Sequence, residues 1–133
     1  MIIVDTGPLV ALFDAKDHMH AVCTDRLSAL RVRLMTTLPV LTEAFHMLTP
    51  GSQGADQLRL LIAKGAMGVH YASDEELIRA FELMETYPMD LADASVISAA
   101  ETLGTRKVFT LDRRDFESYR IKRGHRHVAV DIV

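Results

Sequence analysis

The feature that most constrains the fold is an alternation of short apolar runs with stretches of helical spacing, beginning at the first residues. Met1 to Val4 is a β-branched run that stops at Asp5-Thr6-Gly7-Pro8. Pro8 suits the first position of a helix, where its missing N–H has no intrahelical partner anyway. Strand, turn and helix are therefore read in the first 14 residues, with Leu9, Val10, Leu12 and Phe13 on the helix. Val22, Leu27 and Leu30 give a second helix starting near Asp17 or His18, and Leu34 to Thr36 reads as a second strand. Thr37 and Pro39 introduce a helix through Val40, Leu41, Ala44, Phe45 and Leu48 that stops at Pro50-Gly51.

The pattern repeats to the end. A helix over 55–64 precedes a strand near Val69 to Tyr71. Ser73 with Glu76 three residues on is a capping box, and it opens a helix that runs to Tyr87-Pro88. Asp90 caps a small, apolar helix over 91–103 that ends at Gly104, the residue type that best closes a helix. Lys107 to Leu111 is a strand, Asp112 to Tyr119 a short polar helix or turn, and His127 to Val133 a final strand. Strands that alternate with helices imply a mainly parallel sheet covered on both faces, an α/β sandwich of three layers. At 133 residues, with 49% hydrophobic and 25% charged and no linker or repeat, the whole of 1–133 reads as one domain.

The longest stretch free of Asp, Glu, Lys and Arg is 12 residues, Ala44 to Ala55, and it contains Pro50, so no membrane span is expected. Asp5 breaks the first apolar run, which leaves no signal peptide, and the single Cys23 makes neither an intrachain disulfide nor a zinc cluster. A cytoplasmic location is the expectation. The net charge of −3 excludes binding to nucleic acid by bulk charge alone. Its distribution is uneven, because Arg106 to His127 carries eight Lys or Arg against three acids, a local +5 that leaves −8 elsewhere.

No phosphate-binding loop, dinucleotide-binding glycine turn or nucleophile elbow occurs, so ATPase, dehydrogenase and serine-hydrolase readings drop out. Enzymes with an Asp nucleophile after the first strand carry a second Asp two residues on, where this chain has Gly7. What remains is a set of acids at the ends of elements. Asp5 and Asp112 each follow a strand, Glu43 lies within an otherwise apolar helix, and Asp90 and Asp93 open the least polar helix of the chain. In a parallel sheet the C-terminal strand ends share one edge, and ligands bind there at the switch in strand order. Carboxylates converging at that edge repel unless a cation compensates them, and oxygen ligands select Mg²⁺ or Mn²⁺ over zinc. A cation so held activates water and stabilises charge on a phosphodiester.

With these residues the sequence resembles the PIN-domain ribonucleases, most nearly the VapC-type toxins of type II toxin–antitoxin systems. Val4-Asp5-Thr6-Gly7-Pro8-Leu9-Val10, Thr42-Glu43-Ala44, Asp90-Leu91-Ala92-Asp93-Ala94 and Phe109-Thr110-Leu111-Asp112-Arg113-Arg114-Asp115-Phe116 carry the likeness, and their order and spacing cover nearly the whole chain. The resemblance implies a Rossmann-like sheet, catalytic and metal-binding acids at Asp5, Glu43, Asp93 and Asp112, and site hydroxyls at Thr6 and Thr110. Asp90 and Asp115 are further candidates. It also implies Mg²⁺ or Mn²⁺, an RNA substrate, a protein antitoxin and a homodimer. The basic segment supplies candidates for RNA contact at Arg113, Arg114, Lys122 and Arg123.

Each acid except Glu43 has a plainer reading. Asp90 serves as an N-cap, Asp93 completes a capping box with it, Asp5 and Asp112 begin turns, and Asp115 is a solvated face residue. The basic segment reads equally as a solvated edge. The six histidines do not make a metal set, and only His46, on the same helical face as Glu43, suggests a substrate contact. A non-catalytic RNA-binding module on the same fold, or a nuclease directed at DNA, are the alternative functions.

Overall fold

The computed structural model describes residues 1–133. All three residues of β1 (Ile2–Val4) are buried, as expected for a central strand covered on both faces. The chain continues through α1 (Thr6–Phe13), α2 (His20–Ala29), β2 (Leu34–Thr37), α3 (Leu38–Met47), α4 (Gln53–Ala63) and β3 (Gly68–His70). It then forms α5 (Asp74–Thr86), α6 (Leu91–Leu103), β4 (Lys107–Phe109), α7 (Arg113–Ser118), β5 (Arg120–Arg123), β6 (Arg126–Ala129) and β7 (Asp131–Ile132). Five strands make one sheet in the order β3-β2-β1-β4-β7, with every pairing parallel. Helices flank this sheet in the α/β arrangement read from the sequence.

The order places a topological switch beside β1. From β1 the chain moves outward through β2 and β3, then returns by way of α5 and α6 to β4 on the other side of β1. Ile3 pairs with Val108 and Val4 with Phe109, so the next residues of these two strands emerge side by side. Helix α6 lies over β1, β2 and β4 and packs against α3 and α5. Its long buried run, from Ala94 to Ala100, consists of small and β-branched residues that let it approach the sheet. Twenty-nine buried apolar residues form one continuous core.

Several elements differ from the sequence reading: α2 begins at His20, not near Asp17 or His18, and β4 ends at Phe109, not Leu111. Helix α1 begins at Thr6, two residues before Pro8, which costs nothing because the whole first turn lacks intrahelical acceptors for its N–H groups. Helix α4 begins at Gln53, with the Ser52 hydroxyl accepting from the Ala55 N–H at 3.2 Å. Gly54 in that first turn is required by close approach: a Cβ there would meet the Phe13 carbonyl oxygen at 1.8 Å. His127 to Val133, read as one final strand, is divided between β6 and β7: β6 pairs with β5, which the sequence reading did not assign, in an antiparallel ribbon, and β7 lies at the sheet edge. Gly124, at φ 62°, makes the tight turn of that ribbon. Only Ile121 and Val128 pair as apolar residues across it, which is too short an alternation to register in sequence. No helix is long and apolar enough to cross a membrane.

Candidate active site

The C-terminal ends of β1 and β4 carry the first acids. Asp5 occupies the N-cap position of α1 and Asp112 that of α7, yet neither side chain caps its helix. Both carboxylates are left to face outward from the sheet edge. Thr110 ties them together: its hydroxyl donates to Asp5 Oδ2 at 2.8 Å and its Oγ1 accepts from the Asp112 N–H at 3.0 Å. Thr110 is wholly buried, so this bridge is shielded from water.

Helix α6 brings Asp90 and Asp93. Asp90 is an N-cap, with Oδ1 accepting from the Asp93 N–H at 2.9 Å. The reciprocal capping contact of Asp93 is not made. The Asp93 carboxylate instead accepts from the Tyr119 hydroxyl at 3.1 Å, reaching inward where a capping side chain would turn back. Tyr119 is 1% exposed and packs edge-on against Tyr87 and Phe116, so its hydroxyl is fixed in direction. No periodicity marks Tyr119 in the sequence, where it ends a short polar helix; its contact with Asp93 depends on the packing of β5 against α6.

Glu43 comes from α3, on the side of the helix adjoining buried Val40 and Ala44. Thr37 Oγ1 and Ser95 Oγ lie 2.7 Å apart, which joins the start of α3 to α6 and sets the relative placement of Glu43 and Asp93. His46 is exposed and does not line the acidic cleft; it shares an adjoining groove with Glu43, Asp90, Leu38 and Leu91.

These residues line one cleft of about 560 Å³. Asp5, Glu43, Asp90, Asp93, Asp112 and Asp115 all face it, together with Thr6, Met47 and Leu111, and no Lys, Arg or His is among its lining residues. Burial pushes the Asp5 carboxyl up to about 6, with the Glu43 and Asp90 charges adding to the rise. Hydrogen bonds from the Thr6 backbone and the Thr110 hydroxyl oppose it. Burial also raises Asp93, to about 7, helped by the Asp5 and Asp90 charges and opposed by Tyr119. Asp112 is raised by burial and by the adjacent Asp115. The Thr6 hydroxyl is the one buried side-chain polar atom without a partner, and Thr6 faces the same cleft.

The donor set is therefore all oxygen, the kind that hard divalent cations take. The acids are not closed upon one another: no group of three His, Cys, Asp or Glu side chains is close enough to hold a metal unaided. An open carboxylate cleft suits an ion such as Mg²⁺, which keeps several of its waters and uses only one or two carboxylates directly. Arg113 and Arg114 are exposed at the start of α7 next to Asp112, whereas Lys122 and Arg123 lie on the ribbon, away from the cleft lining.

A parallel α/β sheet with an acidic cleft at its switch point is the architecture of a known family. Residues 2–122 match the PIN domain, and the chain belongs to the PIN-domain family. Ribonuclease VapC26 of Mycobacterium tuberculosis is 27% identical over 133 residues, spanning 96% of this chain and 98% of that one. Two solved structures share the fold. VapC20 of Mycobacterium tuberculosis, described as a sarcin-ricin loop cleaving toxin, superposes with a TM-score of 0.77 at 19% identity, over 85% of this chain and 91% of that one. A toxin–antitoxin complex from Klebsiella pneumoniae gives a TM-score of 0.71 at 19% identity, over 89% of this chain and 92% of the matched chain.

Proposed function

We propose that this protein is a Mg²⁺- or Mn²⁺-dependent endoribonuclease and the toxin of a toxin–antitoxin pair. The observation that carries the reading is the cleft itself, in which six carboxylates and no cation line the switch point of a PIN domain. Such a cleft repels a phosphodiester until its charge is neutralised, so a bound cation and RNA recognition are linked. Asp5, Asp93 and Asp112, with Glu43 from α3, are the residues that would hold one or two ions. When bound, the ion supplies a polarised water and offsets charge on the phosphate in the transition state.

The remaining work falls to the protein. Thr110 holds the Asp5 carboxylate in place and Tyr119 holds that of Asp93. The unpartnered Thr6 hydroxyl is free to donate to a ligand in the cleft. Arg113 and Arg114, exposed beside Asp112, would meet phosphates flanking the scissile bond. Asp90 keeps α6 in register as its cap. The printed descriptions of the relatives, a ribonuclease and a toxin with its antitoxin, favour RNA as substrate and a protein inhibitor as partner. An antitoxin side chain of positive charge would satisfy the acids as a cation does. Ile78 and Phe81, 59% and 48% exposed one turn apart on α5, offer an apolar strip for a second copy in a homodimer.

The test is direct. RNA and DNA of matched sequence are incubated with the protein in Mg²⁺, Mn²⁺ or EDTA. Cleavage of RNA only when metal is present, lost by several orders of magnitude in Glu43→Gln and Asp93→Asn, is the expected result. Asp90→Asn should retain most activity, since Asn caps a helix as well as Asp does. Wild-type rates from the first two variants would sink the assignment.

A further inference from the structure

The fold divides the basic segment into two separate sets. Arg113 and Arg114 stay near the cleft at the start of α7. Lys122, Arg123 and Arg126 lie on the β5–β6 ribbon, and Arg106 and Lys107 stand where β4 begins. The Arg123 guanidinium donates to the Gly104 carbonyl at 2.9 Å, and Gly104 closes the C-terminus of α6. Asp93 is in the first turn of the same helix, so the two lie about 16 Å apart along its axis at 1.5 Å per residue. The second set is thus at the end of the molecule opposite the acids.

This set carries uncompensated charge. All five residues are exposed, and none belongs to an ion pair. Arg106 and Arg123 donate to carbonyls, those of Ala129 and Gly104, which leaves their charge in place. Two acids lie close by. Glu101 is taken up by the Arg79 guanidinium, at 2.8 and 3.0 Å, and by the Lys122 backbone N–H at 2.6 Å. Asp131 is the strand neighbour of Lys107. The ribbon register also sets Arg123 directly opposite Arg126, and Lys122 opposite His127. Like charges facing each other across a strand pair are destabilising, and an anion that binds between them removes that cost.

We propose that the ribbon and the start of β4 form a second RNA-contact surface, which grips the phosphate backbone of a folded RNA whose scissile strand enters the acidic cleft. The identity of the polyanion rests on the ribonuclease reading. The chemistry of the surface favours phosphate over an acidic protein: its apolar residues, Ile121 and Val128, pack against the core, so the outward face lacks the apolar anchors of a protein interface. Phosphate contacts need only Lys and Arg, and double-helical RNA is recognised through its backbone and shape. Two contact surfaces so far apart suit a folded RNA, not a short single strand seated in the cleft.

The experiment measures binding in EDTA, where metal-dependent cleavage cannot intervene. Probes are an RNA stem-loop of about 16 base pairs, the span of one shape-reading RNA-binding domain, and a single-stranded RNA hexamer. Lys122→Gln/Arg126→Gln leaves the Arg123–Gly104 bond intact; adding Arg123→Gln removes the third charge. Stem-loop affinity at low salt should drop about tenfold or more, and the slope of log affinity against log salt should become shallower by about 0.7 to 0.9 per charge removed. The hexamer, too short to make more than a few of these phosphate contacts, should lose less affinity than the stem-loop, and the melting temperature should hold or rise because facing like charges are gone. An unchanged slope, or equal losses for stem-loop and hexamer, overturns the proposal. So does a polyglutamate peptide that binds wild type and not the variants while stem-loop affinity stays constant, which would mark a protein-binding face. Normal cleavage by the wild type in Mg²⁺ or Mn²⁺ with an unchanged slope in EDTA defeats this inference alone, whereas a shallower slope in EDTA with no cleavage in either metal defeats the ribonuclease reading and leaves the surface standing.

Discussion

Asp5 and Asp93 retain protons in the folded chain at pH values where an ordinary Asp, at 3.8, has lost them. For Asp5 the rise to about 6 corresponds to about 3 kcal/mol at 1.36 kcal/mol per unit. The sign follows from linkage. The folded state binds more protons than the unfolded state between about pH 4 and 7, so this contribution to stability is complete at the acid end and lost as pH rises through that window. Without metal, the melting temperature should therefore fall between pH 5 and 8, and Asp5→Asn and Asp93→Asn should flatten that fall. Parallel curves for variants and wild type would show that the two acids are not strained by burial. Tyr119 acts on the same residue in the other sense, since its hydroxyl stabilises the ionised Asp93. Tyr119→Phe keeps the ring packing and removes the bond. Its cleavage profile should shift its acid limb about one to two units higher in pH, a hydrogen bond to a charged group being worth about 1.5 to 3 kcal/mol, and its melting temperature should fall most at high pH, where Asp93 is ionised.

At the scale of elements, the site depends on how closely the helices approach one another. The Thr37–Ser95 contact fixes α3 on α6, and Gly54 lets α4 reach the end of α1. Gly54→Ala forces a Cβ against the Phe13 carbonyl, and the two helices must separate. The loss should be about 2 to 3 kcal/mol, an overpacking cost, seen as a fall of about 10 °C in melting temperature. A variant that melts like wild type would mean that α4 has room to shift. Met47, near the end of α3, lines the acidic cleft and also the neighbouring hollow with Leu12, Phe13 and Gly54. Displacement of α4 should therefore reach the cleft wall, and Gly54→Ala should lower cleavage by more than its folded fraction explains.

For the molecule as a whole, metal and fold are coupled through repulsion. The carboxylates that share the cleft repel one another, by something on the order of 1 kcal/mol per pair at intermediate dielectric. Neutralising one of them, as in Asp93→Asn or Asp112→Asn, should raise the melting temperature in EDTA, against the usual direction for a substitution. Mn²⁺ should then stabilise wild type in proportion to RT ln(1 + [L]/Kd), and the neutralised variants far less. Variants that melt lower in EDTA and respond equally to Mn²⁺ would show that the acids do not share an ion. Because Asp93 also carries the pH effect above, the EDTA comparison is made at pH 8, where both carboxylates are charged.

Local chemistry was enough to read most elements, since caps, prolines and glycines act through bonds only a few residues long. The capping box at Ser73 and Glu76, the Asp90 cap and the Gly104 stop all form as the sequence implies. Asp5, Glu43, Asp93 and Asp112 were legible as candidates because a charge at a strand end, or within an apolar helix, has few structural uses. Tertiary structure decided which of the plainer readings applies. Asp90 spends its carboxylate on capping, while Asp93 turns from that role to Tyr119, a residue 26 positions away. Likewise the basic segment reads as one block along the chain, yet a two-residue turn at Gly124 folds its later part into a ribbon whose tip meets the far end of α6. Sequence records which charges exist and what local backbone they favour. Which charges meet is set by strand order and helix packing, because contacts between distant residues form only when the whole core is assembled.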